Sequence, residues 1–148
     1  MDEKSSQALA KPWVKTLLSE QVLARLATCN PKTLQPHVVP VWFEWDDQCL
    51  WISAFSSTRK IKDLQKNPMI SVLIDTDRPG EPARAVLLEG KAELITDPAV
   101  VQERARNIYT LYMGPEGVLD PAPQSWIVDP ENTIIKLSPS HAYAWGEN

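Results

Sequence analysis

Glycine is scarce: the chain has five in 148 residues. None falls in a Gly-x-Gly-x-x-Gly, phosphate-loop or Gly-x-Ser-x-Gly pattern, so a nucleotide cradle made of glycine backbone is excluded. A bound phosphate would have to be held by side chains and a helix start. There are two histidines, His37 and His141, and two cysteines, Cys29 and Cys49. No Cys/His cluster has zinc-ligand spacing, which leaves no metal site to predict. Both cysteines sit in apolar, strand-like text and read as small buried residues. Long apolar runs are also missing. Residues 38–43 form one of the longest, far short of a membrane span. The start, Met1-Asp2-Glu3-Lys4, lacks the basic-then-apolar order of a signal peptide, so a reduced, cytoplasmic setting is expected. Fifteen basic against 19 acidic side chains leave a net charge of −4. That balance gives a nucleic-acid-binding role no electrostatic support.

What the chain does have is 13 prolines, six tryptophans and 43% apolar residues. The apolar share suits one folded domain, and so many prolines do not thread through a helical bundle. Residues 1–12 are polar and are expected to be a flexible N-terminus, leaving residues 13–148 as a single domain. Trp13, Leu17 and Leu18 recur at helical spacing. Residues 22–29 read as a strand or a helix-to-strand transition, and strand-like text follows at residues 36–45, 49–54, 69–75, 83–95, 133–137 and 141–145. Asp46-Asp47-Gln48 reads as a hairpin turn, and Gly90 marks a bulge or a close backbone approach. A helix opens at Ser56-Ser57-Thr58 and closes at Asn67-Pro68. A second starts at Asp97-Pro98, carries Val101, Ala105, Ile108 and Tyr112 on one stripe, and stops at Met113-Gly114-Pro115. Residues 114–124 read as irregular and 126–130 as a short segment. The sum is about six antiparallel strands with flanking helices, a barrel or curled sheet.

Two stretches carry chemistry. At the helix start Thr58-Arg59-Lys60, cations occupy the turn where the helix dipole disfavours them, and no acid appears until Asp63. Hydroxyls, free amides and two cations converge there as an anion site would require. The same residues also fit a solvated basic face paired with carboxylates elsewhere. The second stretch is Val38-Val39-Pro40-Val41-Trp42. Proline removes a ladder donor, which marks an edge strand or a bulge with backbone free to meet a planar ligand. Proline protecting an edge against aggregation is the plainer reading of the same residue.

Together with other segments these stretches resemble a known family. The matching text is Arg25-Leu-Ala-Thr28, Pro36-His-Val-Val-Pro-Val-Trp-Phe43, Leu50-Trp-Ile-Ser53, Ser57-Thr-Arg-Lys60, Leu88-Glu-Gly90 and Ser140-His-Ala-Tyr143. In order and spacing it is similar to the pyridoxamine 5′-phosphate oxidase-like, FMN-binding split β-barrel superfamily. The resemblance implies a six-stranded antiparallel split barrel and a homodimer with two cofactor sites at its interface. It implies that Thr58, Arg59 and Lys60 bind the flavin phosphate and that the backbone of Val39, Pro40, Val41 and Trp42 lies against the ring. Ser53 falls on a serine or threonine that also contacts the cofactor. Trp126 or Trp145 would cover the ring from the partner chain.

Departures refine the expectation. Ala85 stands where true pyridoxamine phosphate oxidases carry glutamine, which argues against vitamin B6 oxidation. The closing Ser140-His-Ala-Tyr143 resembles branches that use the deazaflavin F420, but Arg59-Lys60-Ile61-Lys62 is not their usual Lys-x-Arg-Asn. The expected function is therefore an FMN-dependent oxidoreductase acting on a small molecule, with no catalytic side chain assigned. An F420-dependent reductase and a non-catalytic flavin-binding protein are the alternatives. Haem binding, known in related barrels, would have to use His37 or His141.

Overall fold

The computed structural model describes residues 1–146; the last two residues of the expected domain lie outside the described residues. In chain order, α1 (Glu3–Ala10) and α2 (Pro12–Ser19) precede β1 (Ala24–Cys29), β2 (Pro36–Val41), the short β3 (Glu44–Trp45) and β4 (Leu50–Phe55). Then come α3 (Arg59–Lys66), β5 (Met69–Thr76), β6 (Arg84–Ile95), α4 (Pro98–Gly117), α5 (Pro121–Val128), β7 (Asn132–Leu137) and β8 (His141–Trp145). The class is the expected one, an antiparallel split barrel with flanking helices. The count is not: the described residues make eight strands rather than six. Part of the difference is that the run 36–45 breaks at Trp42 and Phe43 into β2 and β3.

The strand path is β2-β1-β5-β6-β7-β4-β3, with β8 on β6. Its two ends, β2 and β3, are neighbours in the chain, joined only by Trp42 and Phe43. Two residues bridge at most about 11 Å, so the sheet has to curl until its edges nearly meet. That near-meeting is the split of the barrel. Pro40 lies on the terminal strand of the path, where a missing ladder donor costs least.

β6 is the strand that both halves share. Residues 85–89 pair with β8 and residues 92–95 with β7. Gly90 sits at the changeover. A Cβ there would come within 3.0 Å of Leu137 Cδ1, 3.2 Å of the Ser140 amide nitrogen and 3.3 Å of the Ser138 carbonyl oxygen. The expected close backbone approach is therefore real.

The barrel interior is filled by Leu26, Ile52, Ile74, Leu88, Ile135 and Leu137, with Trp13, Leu17 and Leu18 of α2 and Ile61 and Leu64 of α3 joining the same cluster. A second cluster joins Val101, Ala105, Ile108 and Tyr109 of α4 to Trp51, Ile127 and Ile134. β7 thus has apolar material on both faces, which is why its sequence does not alternate.

Two expectations are corrected. The N-terminus expected to be flexible carries α1, capped by the Asp2 carboxylate, which accepts from the Ser5 amide at 2.8 Å. That bond holds the Asp2 carboxyl below its usual pKa. Small residues let the helix pack tightly: Ser5 and Ala8 are buried, and Ser5 Oγ accepts from the Ala142 amide of β8 at 3.0 Å. The supposedly irregular stretch before Trp126 becomes α5, which Pro121 starts at its first position as Pro98 starts α4, although the Asp120 side chain makes no capping bond. The predicted stop at Gly114 is present as a kink, with φ at 82°.

Tyr112 ties the split together. Its hydroxyl donates to the Val22 carbonyl at 2.7 Å and accepts from the Phe43 amide at 3.3 Å. Tyr112→Phe should cost about 1–3 kcal/mol of unfolding free energy, because two half-buried backbone groups lose their partner. Chemical denaturation of the two proteins measures it.

Candidate functional site

At the split a groove of about 290 Å³ opens. Its walls follow from the topology. Pro40, Val41 and Trp42 come from β2 and its exit, Ser53 from β4 and Lys60 from the first turn of α3. α4 adds Ile108 and Tyr109, and Leu23 closes the rim. Five of the eight residues predicted from sequence meet here. A larger hollow of about 470 Å³, near Cys29, Glu89 and His141, gathers none of them. The smaller groove is the candidate because it unites a cation, an edge strand and aromatic surface.

The remaining three predicted residues stand apart from the groove. The Val39 side chain packs against the barrel core. Thr58 is the N-cap residue of α3, but its hydroxyl donates to the Phe55 carbonyl at 2.7 Å instead of capping the helix. The start of α3 therefore has no side-chain acceptor and no acid in its first turn, which leaves its amides free for an anion. Arg59 is half-exposed and its Nε lies 3.8 Å from Oδ2 of Asp63, a buried carboxylate that also accepts from the Thr28 hydroxyl at 3.0 Å. The basic-face reading thus holds in part for Arg59.

Lys60 differs. It is half-buried, and desolvation pushes its ammonium pKa below the ordinary lysine value. No carboxylate lies within ion-pair distance of it among the described residues. A partly desolvated cation lining a groove is better stabilised by an anion than by solvent alone.

Trp42 and Tyr109 bring aromatic surface to the groove and belong to a larger ring cluster. Trp42 stacks on Tyr112 with centroids 4.9 Å apart and meets Tyr109 edge-on at 6.2 Å. Tyr109 in turn meets Trp126 edge-on at 5.8 Å. Burial pushes both tyrosine hydroxyls above the ordinary phenol pKa. Ser53 Oγ lies 2.7 Å from Asn132 Oδ1 and 2.9 Å from the Tyr109 hydroxyl. Tyr109 and Asn132 were not singled out from sequence. Tyr109 follows Ala105 by four residues, so its place on the buried stripe was available; Asn132 gave no signal of its own.

Neither histidine lines the groove. His141 is exposed and stacks against Tyr143 at 6.5 Å. Among the described residues no group of three or more His, Cys, Asp or Glu could hold a metal ion. Nor is any described helix long and apolar enough to cross a membrane.

The family profile of pyridoxamine 5′-phosphate oxidase matches residues 10–146. The chain belongs to the pyridoxamine 5′-phosphate oxidase family. Solved structures that share its fold include the conserved hypothetical protein Rv2991 from Mycobacterium tuberculosis. That protein is 18% identical with a TM-score of 0.76, over 92% of this chain and 84% of the other. The flavocytochrome Anf3 from Azotobacter vinelandii is 22% identical with a TM-score of 0.73, over 100% and 77%. An F420 reductase is 24% identical with a TM-score of 0.69, over 87% and 94%. A comparison with curated proteins finds no match. Within this family the matched segment covers all the elements that build the groove, from Leu23 to Asn132.

Proposed function

We propose that the chain is an FMN-binding oxidoreductase acting on a small molecule, as a homodimer with cofactor sites at the subunit interface. The observation that carries this reading is the groove itself. It sets the unpaired Lys60 ammonium beside an edge strand and an aromatic block. FMN needs such a set of partners: donors for a dianionic phosphate and a flat, partly apolar surface for its ring. Lys60 and the free amides at the start of α3 would hold the phosphate, with Arg59 adding charge from beside it. Pro40, Val41 and Trp42 would orient the ring and exclude water from one face. Bound flavin supplies the hydride or electron transfer.

A second copy is supported by the outer face of the sheet. Val38, Leu73, Leu87, Tyr143 and Trp145 share that face by register across β2, β1, β5, β6 and β8. Val38, Tyr143 and Trp145 are 60%, 45% and 53% exposed, and the same face carries the Arg25–Asp75 ion pair and Glu89, the mix of exposed apolar and charged groups that a subunit interface uses.

One reconstitution experiment tests the reading. Purified protein should sediment as a dimer and bind FMN more tightly than F420, and the loaded protein should oxidise NAD(P)H. Tighter F420 binding would reverse the cofactor assignment, and absent turnover would leave a flavin carrier. Arg59→Ala should weaken FMN by about tenfold, the low end for a charged hydrogen bond, because Asp63 already holds the guanidinium. Unchanged affinity in that variant would return Arg59 to a purely structural role.

A further inference from the structure

The polar side chains behind the groove have a fixed direction. Asn132 Nδ2 donates to the Trp126 carbonyl at 3.1 Å. The amide cannot be turned round, because its oxygen would then face a second acceptor. Asn132 Oδ1 therefore points to Ser53, whose Oγ is 2.7 Å away. An amide oxygen only accepts, so the single Ser53 proton is committed to it. The Tyr109 hydroxyl, 2.9 Å from the same Oγ, must then be the donor of that pair. The chain runs one way, from Tyr109 through Ser53 and Asn132 to the backbone of Trp126. Asn132 and Tyr109 are buried, so water does not readily compete for these bonds.

We infer that Ser53 and Tyr109 form an acceptor-only wall of the groove that selects a hydrogen-bond donor on the cofactor, with Asn132 as the positioning residue. This rests on the flavin reading above. Both residues line the groove, each hydroxyl oxygen keeps a lone pair after these bonds, and both protons are spent within the chain. Lys60, on the same groove, can only donate. The groove is thus polarised. It draws an anionic group to Lys60 and repels one from Ser53, so the ligand is read for orientation as well as shape. FMN offers two kinds of donor with the chemistry required, the ring imide N3–H and the ribityl hydroxyls.

Equilibrium binding of FMN, N3-methyl-FMN and 2′-deoxy-FMN to wild type, Ser53→Ala and Tyr109→Phe separates the cases. One analogue should bind wild type about tenfold more weakly than FMN, since an acceptor is left unpaired. Loss with the N3-methyl compound identifies the imide, and loss with the deoxy compound the ribityl chain. The gap should close in Ser53→Ala and narrow in Tyr109→Phe. Asn132→Leu frees the Ser53 proton without touching the ligand, and it should also narrow the gap. A merely structural role for Asn132 would lower stability and leave the ratio alone. Equal binding of all three compounds to wild type, or a gap that persists in Ser53→Ala, overturns the inference while leaving FMN binding intact. Failure of FMN itself to bind overturns the functional reading and this one with it.

Discussion

Lys60→Met is expected to weaken FMN binding by roughly 10- to 100-fold while leaving the ligand-free protein as stable as wild type or slightly more so. The two halves of that result have one cause. Burial lowers the Lys60 pKa, so the folded chain holds the ammonium at a cost whenever it is charged. Below the lowered folded value that cost is present in full. It falls as pH rises and is gone above the ordinary lysine pKa of about 10.4. At neutral pH methionine keeps the long apolar stem and removes the charge, so the cost disappears. A bound phosphate does the opposite, since it stabilises the ammonium and raises its pKa again. Wild-type affinity for FMN should therefore decline once pH passes the lowered Lys60 value, whereas the Lys60→Met protein should lack that decline. Fluorescence titration across pH, paired with thermal melts of the ligand-free proteins, reads both effects. A variant that binds FMN like wild type would remove Lys60 from the phosphate site. One that loses stability would show that the ammonium has a structural partner.

Gly90→Val should be the most damaging single substitution away from the groove. The added Cβ would meet Leu137 Cδ1 at 3.0 Å and the backbone of Ser138 and Ser140 at 3.3 and 3.2 Å. The leucine can rotate, but the two backbone groups cannot withdraw cheaply. The Ser140 amide is bonded to the Glu89 carbonyl at 2.9 Å, and that bond anchors β8 beside β6. Overpacking of this kind costs about 3 kcal/mol. At ~2–4 °C per kcal/mol for a domain of this size, the melting temperature should fall by roughly 6–12 °C. Gly90 is outside the groove, so the folded fraction should bind FMN as wild type does. A melt within a degree or two of wild type would mean that the β7–β8 connection yields easily.

The sequence was most legible where local chemistry and tertiary role agree. Asp97-Pro98 announced a capped helix, and α4 starts there. Pro40 announced an edge, and β2 ends the strand path. Gly90 announced a close approach, and the surrounding distances bear it out. It was least legible where long-range packing outweighs local polarity. Residues 1–12 look unstructured because they are polar, yet Ser5 and Ala8 are small enough to let α1 seat on β8. Trp42 and Phe43 look like continuing strand, and only closure of the sheet turns them into the link between its two edges.

By itself, then, the amino-acid sequence determined which residue types were available for a phosphate. With five glycines and no metal-ligand cluster, a phosphate would have to be held by Thr58, Arg59 and Lys60 at the start of a helix. It also determined the strand-rich class, through alternation, proline and turn signals, and the family, through motif order. Tertiary structure decided which of those residues share a site. It turned Lys60 into the groove and gave Arg59 to Asp63. It also brought Tyr109 and Asn132 to Ser53 across 56 and 79 residues of chain. Charge and propensity act over a few residues and leave a local trace. The direction of a side chain and the partner of a hydroxyl depend on which strands pair, and that is settled only when the sheet closes.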